Sequence, residues 1–312
     1  AAMSSAPSRA RGVSPRRRSA EGVMELLELL LTTVVRAAAV GTPLLWASLG
    51  EIYAERSGVV NLGVEGMMIL GAFIGFATAH TTGDPIAGLA AAAVVGAAAA
   101  LLHAFVSISL RANQYVSGLA LSMLGLGLAG LLGRGWEGIP LDNPLPETSL
   151  VAVGVALAGV LWVVLYRTRW GLAIRSVGES PAAADAMGIN VLVVRYLAVV
   201  FGGVLAGIAG GFLSVAYRPS WTEGMTAGTG WIAIALAIFA GWDPLKAIGA
   251  AFLFGALFHL SFRLQAWIPA EPLTMLPFVF TIVVLALAAR RTSRLFGAAP
   301  EALGTPYIRG ER

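Results

Sequence analysis

Long runs of apolar residues, separated by short stretches rich in glycine, proline and charge, fill most of this chain. Hydrophobic residues make up 57% of its 312 residues and charged residues only 12%, which is more apolar surface than a soluble domain can bury. The chain therefore needs a lipid bilayer as its solvent. A bilayer core about 30 Å thick takes about 20 residues per spanning helix, so the apolar length allows about eight to ten spans.

The apolar runs predict an all-α fold, a polytopic membrane helix bundle of about nine spans. The 38 glycines suit such a bundle, because helix association in lipid depends on small residues that let backbones approach. The predicted spans cover residues 31–53, 59–79, 86–110, 115–132, 149–166, 191–215, 231–240, 245–262 and 273–289.

Several classes of function are disfavoured by what the sequence lacks. Without cysteine there is no disulfide, thiolate metal site or cysteine nucleophile. No catalytic triad, paired-carboxylate or metal-ligand cluster is apparent, so we expect no enzyme activity, no metal and no cofactor. The net charge of +4 comes from arginines that flank the apolar region, which does not indicate a nucleic-acid partner.

The basic residues also predict orientation and domain limits. One alternating set of connections carries Arg56, Arg111, Arg175 and Lys246, so this set and the tail 297–312 should be cytoplasmic. Residues 24–296 form the transmembrane domain, and the Ser-, Pro- and Arg-rich residues 1–23 should be a disordered basic tail. An odd number of spans then places this basic tail outside. Either the tail is not native, or residues 24–40 form an extra or interfacial helix.

Short motifs recur in the two halves of the chain at nearly the same offset. The recurrence suggests a duplication, and the odd number of spans between the copies makes it inverted, as in many transporters. The alternative is chance similarity between apolar segments. The matching elements are Glu65-Gly66-Met67 with Glu223-Gly224-Met225, Asp84-Pro85 with Asp243-Pro244, Gly96 with Gly255, and His103 with His259.

A polar, glycine-rich stretch interrupts the apolar pattern in each copy, at residues 57–66 and 220–230. Non-helical backbone at membrane depth is tolerated only where it is buried in protein or lines a wet cavity, so these stretches should face a transport path. For the two glutamates the alternative is a hydrogen bond that holds a broken helix. The candidate path residues are Asn61, Glu65, Trp221, Thr222 and Glu223.

The longest basic connection, residues 167–190, contains signals for a short separate helix. Ser180 suits the N-cap, Pro181 suits the first helical position, and Gly188 suits the residue just past the end. The pattern predicts a two-turn helix at 181–187 on the cytoplasmic face, where a soluble partner could push it. The alternative is a mere connector.

The segment GTPLLWASLGEIYAERSGVVNLGVEGMM, residues 41–68, closely resembles the N-terminal signature of permease subunits of bacterial ABC importers for nucleosides. These permeases belong to the wider superfamily of ribose and branched-chain amino acid permeases. Residues 168–190 resemble the cytoplasmic loop of that superfamily, although Glu179 stands where asparagine is expected. The resemblance covers residues 41–291.

The resemblance implies a set of partners in the bacterial cytoplasmic (inner) membrane. These are an ABC ATPase subunit, a second permease subunit that is either a copy of this chain or a related chain, and an extracytoplasmic substrate-binding protein, lipid-anchored or free. The sequence has no GxxxxGK[ST] phosphate loop of its own, as expected if ATP is hydrolysed elsewhere. The residues implied to couple to the ATPase are Glu179, Ser180, Pro181, Ala182, Ala183, Asp185, Ala186, Met187 and Gly188.

Two other functions remain open from the sequence. A ribose-type sugar permease would share the superfamily's motifs and differ in its binding protein. A secondary transporter or channel would work without any ATPase, and would be active from this polypeptide alone in liposomes.

Overall fold

The computed structural model describes residues 15–290 and 299–309, and these residues form helices, turns and two isolated β-bridges but no β-strand. The prediction of an all-α fold is therefore confirmed for the described residues. The helices are α1 (Pro15–Arg56), α2 (Val64–Thr82), α3 (Pro85–Ala104), α4 (Gln114–Gly133), α5 (Ser149–Arg167), α6 (Arg169–Glu179), α7 (Pro181–Ala186), α8 (Val191–Phe212), α9 (Thr229–Phe239), α10 (Pro244–Leu264) and α11 (Ala270–Arg290).

Every predicted span overlaps one of these helices, and π-helical turns extend α3 through Ser109 and α8 through Tyr217. Within the described ranges, 6 helices are long and apolar enough to cross a membrane, and the apolar helices Thr229–Phe239 and Ala270–Val283 are shorter. The structure thus shows a polytopic helical bundle, while the number of nine spans stays a prediction.

The first helix is longer than the sequence pattern predicts. It has 42 residues, which is about 63 Å at a rise of about 1.5 Å per residue, twice the thickness of a bilayer core. Residues 15–23, predicted to be disordered, belong to this helix, so that prediction is wrong for them; residues 1–14 lie outside the described residues. Residues 24–40 continue α1 without a break and form no separate helix.

Two helix crossings depend on the glycines that recur between the halves. A Cβ atom added at Gly96 of α3 would lie 2.2 Å from the carbonyl oxygen of Gly203 in α8, and one added at Gly255 of α10 would lie 2.1 Å from that of Ala37 in α1. Each glycine thus lets its helix touch the backbone of a helix from the other half of the chain. The predicted counterparts Gly96 and Gly255 have matching structural roles.

The Asp-Pro motifs also match, whereas the Glu-Gly-Met triplets do not. Asp84 and Asp243 are both N-caps with a proline following, and each side chain accepts a hydrogen bond from the backbone nitrogen two residues on. Glu65 lies in the first turn of α2, but Glu223 lies in a loop before the shorter helix α9. The triplets are therefore not structurally equivalent.

Contacts between connections define the two ends of the bundle. At one end, here called the coupling end, the backbone nitrogen of Ala302 donates to the carbonyl oxygen of Gly178, and Arg56 donates to that of Gly241. At the opposite end the connection between α4 and α5 pairs with the segment after α8, where Gly138 donates to the carbonyl oxygen of Trp221. The connections at the coupling end carry Arg56 and Arg175, and they are among the connections that the basic residues predict to be cytoplasmic.

Candidate functional site

A buried carboxylate joins the two interrupted helices. Glu65 is 2% exposed, and its Oε1 accepts hydrogen bonds from the Thr226 hydroxyl at 2.5 Å and the Gly228 nitrogen at 2.9 Å, while Oε2 accepts from the Gly230 nitrogen at 2.8 Å. These donors lie at the start of α9, whose own N-cap residue, Gly228, has no side chain to cap it. Glu65 therefore caps α9 from a different helix and places its negative charge at the positive end of the α9 dipole.

The first interrupted segment is held firmly at several points. It is non-helical only from Ser57 to Gly63, because α2 begins at Val64; the prediction of a break through residue 66 is therefore too long. Asn61 is fully buried, accepts a hydrogen bond from its own loop at the Gly63 nitrogen, and has its Nδ2 3.5 Å from Oε1 of Glu51.

Val60, in the same segment, is fixed by two neighbouring side chains. Its nitrogen donates to Oε1 of Gln114 at 2.8 Å, and its carbonyl oxygen lies 3.1 Å from Nε2 of His103. His103 is 1% exposed and its other ring nitrogen is 3.0 Å from the Ser117 hydroxyl, so it acts here as a packing residue.

The other predicted path residues differ in their surroundings. Trp221 is fully buried, with its ring centroid 5.3 Å from that of Phe73, whereas Thr222 and Glu223 are exposed at the opposite end. The structure thus brings Glu65 to the segment 220–230 but does not gather all five predicted residues into one open site. Asn61, Glu65 and Trp221 are enclosed in packed protein.

A cavity that the sequence did not predict borders the Glu65 contacts. It has a volume of about 220 Å³ and lies between α1, α10, α11 and the segment before α9, with Thr226 in its wall. Arg218 lies over the rings of Tyr217 and Phe262, at 5.8 and 5.9 Å from their centroids. No local pattern indicates this cavity, because its walls come from residues far apart in the chain. Further lining residues include Phe258, Phe278 and Thr229.

Two buried carboxylates in α1 were missed by the sequence analysis. Glu51 and Glu55 are 0% and 2% exposed and lie one helical turn apart near the coupling end. Glu55 accepts a hydrogen bond from Nε1 of Trp242, and Arg56 donates to the carbonyl oxygens of Gly241 and Trp242. The sequence signal for these two residues was their acidic character within an apolar run. Acidic residues are costly in a membrane unless they have partners, so such residues indicate buried contacts.

The short helix in the connection between α5 and α8 has the predicted local geometry. The Ser180 hydroxyl accepts a hydrogen bond from the Ala183 nitrogen, Pro181 is the first helical residue, and Gly188 has a φ of +84°. These caps are as predicted, and the helix ends at Ala186, one residue earlier than expected. The prediction missed α6 (Arg169–Glu179), a second helix in the same connection.

Helix α7 presents small side chains to the outside at the coupling end. Ala182, Ala183 and Ala186 are exposed, Met187 is 83% exposed, and Ala184 is buried at 3% against the protein. Glu179, Ser180 and Gly188 are also exposed, and Pro181 is half-buried. A row of small exposed side chains permits close approach of another protein.

The C-terminal residues contact the inner side of α7. Nε of Arg309 lies 3.0 Å from Oδ2 of Asp185, which is half-buried. Desolvation of Tyr307, followed by its hydrogen bond to Asp185, raises the pKa of the tyrosine above its ordinary value. Tyr307 is therefore a neutral hydrogen-bond donor at physiological pH. These contacts leave the alanines of α7 uncovered.

A bundle of apolar helices, with interrupted segments and an exposed short helix at one end, defines a polytopic membrane permease. Residues 33–288 match the family model described as branched-chain amino acid transport system / permease component, and the chain belongs to this family.

Three relatives match nearly the whole chain. A putative glucose ABC transporter permease protein of Haloferax volcanii is 40% identical, covering 90% of this chain and 97% of the relative. A guanosine ABC transporter permease protein of Bacillus subtilis is 36% identical over 93% of this chain and 100% of its own length. A nucleoside ABC transporter permease protein of Lactococcus lactis is 34% identical over 92% of this chain and 100% of its own length.

Proposed function

We propose that this chain is the membrane-spanning permease subunit of an ABC importer and forms the translocation path for nucleosides. The observation that carries the proposal is the exposed helix α7, whose alanines project from the coupling end on a connection capped by Ser180 and Gly188. When a partner protein binds an exposed helix such as α7, a movement of the partner displaces the helix. The chain itself is a transport component, and ATP is hydrolysed on a separate subunit.

The coupling surface consists of α7 and its flanking residues. The alanines allow close approach, and the exposed Met187 offers a flexible apolar contact to an ATPase groove. Within this proposal the coupling end faces the cytoplasm, in agreement with the arginine-rich connections. The complete set is Glu179, Ser180, Pro181, Ala182, Ala183, Asp185, Ala186, Met187 and Gly188.

The membrane domain in this proposal has about nine spans, formed by α1 to α5 and α8 to α11, in two inverted repeats. The matched caps at Asp84 and Asp243 and the matched crossings at Gly96 and Gly255 support the repeat. The translocation path passes the segment 220–230. Asn61, Glu65 and Trp221 hold its walls, and Thr222 and Glu223 face its open side.

The partners follow from this role. An ABC ATPase binds α7, a second, related permease chain completes the path, and an extracytoplasmic binding lipoprotein delivers the substrate from the opposite end. We place the assembly in the bacterial cytoplasmic membrane. No nucleic acid takes part.

Nucleosides are the preferred substrates because two relatives that align over their full length are named as guanosine and nucleoside permeases. A sugar is the second candidate, because the relative at 40% identity is named as a putative glucose permease. Both substrates are neutral, so either fits a path walled by hydrogen-bonding and aromatic groups.

Isolation of the assembled importer from its host, with its binding protein, decides between these substrates. Calorimetric titration of that binding protein with guanosine, ribose and glucose should give binding of the nucleoside at least about 100-fold tighter than of either sugar, equal to about 2.7 kcal/mol. Tighter binding of ribose or glucose would assign the chain to a sugar importer instead.

A further inference from the structure

Arg195 is a buried charge in the second turn of α8, at the coupling end. Its side chain is 1% exposed, Nε donates to the carbonyl oxygen of Ser57 at 3.2 Å, and Nη1 donates to that of Thr305 at 3.1 Å. A guanidinium buried among neutral acceptors costs free energy, because backbone carbonyls only partly replace its hydration. Arg195 thus ties together two pieces of main chain that are distant in sequence.

The C-terminal segment 299–309 is seated directly on the first interrupted segment. The Gly304 nitrogen donates to the carbonyl oxygen of Gly58 at 3.2 Å, and the buried Ala302 donates to that of Gly178 at 2.9 Å. Gly58 has a φ of +88°, and a Cβ there would lie 2.9 Å from Nη2 of Arg195. The glycine is required both for this backbone conformation and for direct packing on the guanidinium.

The same C-terminal segment holds the coupling helix. Arg309 pairs with Asp185 of α7, and Ala302 binds Gly178 at the last turn of α6. Segment 299–309 therefore contacts α6, α7, α8 and the loop that leads to Glu65.

The loop 57–63 continues this connection to Glu65. Val60 is fixed by Gln114 and His103, and Asn61 is fixed by its own loop, so the loop has little freedom to deform by itself. Four residues after Asn61, Glu65 caps α9 and holds the segment 220–230. A displacement at Gly58 is thus passed to Glu65 through an ordered chain of contacts.

We propose that Arg195 and segment 299–309 pass the movement of α7 to the loop 57–63, and that Arg195 is a positioning residue for coupling ATP hydrolysis to transport. This inference rests on the proposed function, because it assigns a route to the force that the ATPase applies at α7. Tightly packed elements transmit displacement as units, so a shift of α7 moves the segment, the guanidinium and the loop together.

The first test replaces Ala302 by arginine in the full-length importer, with Ala299→Arg as the matched control. Ala302 is 7% exposed in its seat and Ala299 is exposed, so only the first substitution should displace the segment. Hydrogen exchange of residues 299–309 reports the displacement, because the nitrogens of Ala302 and Gly304 are bonded in the native state.

We expect Ala302→Arg to raise exchange in this segment and to lower the nucleoside transported per ATP hydrolysed by about tenfold, with the ATPase still bound. Ala299→Arg should change neither quantity. Undiminished transport per ATP with a displaced segment would overturn the proposal, and so would unchanged exchange in Ala302→Arg.

The second test is Arg195→Lys, which keeps the charge but cannot donate to two separated carbonyls as the planar guanidinium does. The variant should assemble and retain basal ATP hydrolysis, with a loss of transport per ATP similar to that of Ala302→Arg. Combining the two substitutions should produce no further loss, because both break the same connection. Independent, multiplicative losses would contradict the proposal that both residues act through one connection.

Transport by the wild-type importer distinguishes a failure of the proposed function from a failure of the inference about Arg195. If it fails to transport nucleosides with ATP, the proposed function is wrong. If it transports them and both variants behave like wild type, only the inference about Arg195 and segment 299–309 is wrong.

Discussion

The Glu65 carboxylate accepts a hydrogen bond from the backbone nitrogen of Gly230 at 2.8 Å, although 165 positions separate the two residues. This contact and those with Thr226 and Gly228 cap α9 from another helix. The start of α9 therefore depends on the position of α2, which links the two halves of the chain at the segment proposed to line the path.

Replacement of Glu65 by glutamine should destabilise the permease. The amide nitrogen cannot accept from Gly228 or Gly230, so at least one buried N–H loses its partner, at a cost of about 1–3 kcal/mol. Thermal unfolding of the purified protein in detergent measures this effect. Glu223→Gln is the matched control, since Glu223 is exposed and the change should stay within about 0.5 kcal/mol. Equal unfolding temperatures for the two variants would exclude the capping role.

The two glycine crossings should respond alike to a bulky side chain. Gly96→Leu and Gly255→Leu each place a side chain against backbone that lies within 2.2 Å of the Cβ position, and overpacking of this kind costs about 1–3 kcal/mol or more. Both should lower the yield of folded protein and its unfolding temperature. Gly159→Leu in α5 should be tolerated, because no neighbouring atom of the described residues lies within 4 Å of its Cβ position. A large effect at only one of the two crossings would argue against equivalent repeats.

The contact between Glu55 and Trp242 should contribute a measurable coupling energy. Trp242→Phe removes the donor, and Glu55→Leu removes the acceptor. A double-mutant cycle on the unfolding free energy should give a coupling of about 0.5–3 kcal/mol. Additive effects would show that the two side chains are merely neighbours.

Helix α7 gives the prediction closest to the proposed ATPase contact. Ala183→Arg adds volume and charge to an exposed small position, and should weaken ATPase binding by at least about 100-fold, or about 2.7 kcal/mol. Ala183→Ser keeps the small size and should bind as wild type does. Co-purification of the ATPase with each permease variant measures the difference. Retention of the ATPase by Ala183→Arg would show that the connection containing α7 is only a linker and not the ATPase contact.

Local chemistry was readable from the sequence, and long-range pairing was not. The predicted caps at Ser180 and Gly188 follow from residue types at fixed spacing, as do the apolar helices. Helix α6 was missed; Gly171 and Gly178 lower its helix propensity, and both glycines serve close backbone contacts.

Contacts between distant segments carry no local sequence signal. The partners of Glu65 and Arg195, and the full burial of Trp221, depend on which segments meet in the fold. Glu65 could be identified as a buried acidic residue with a structural alternative, but its role as a cap for α9 required the structure. The cavity beside Thr226 could not be predicted from the sequence either, because its walls come from distant segments.

This chain is proposed to transport only as part of an ATP-driven assembly. Uptake of radiolabelled guanosine should be compared between proteoliposomes that contain the permease chains alone and ones that contain the complete importer with its binding protein and internal ATP. We expect uptake by the complete importer only, and its loss when ATP is replaced by a non-hydrolysable analogue. Guanosine uptake by the permease chains alone, or uptake that persists without ATP hydrolysis, would contradict the proposal that transport requires the ATP-driven assembly.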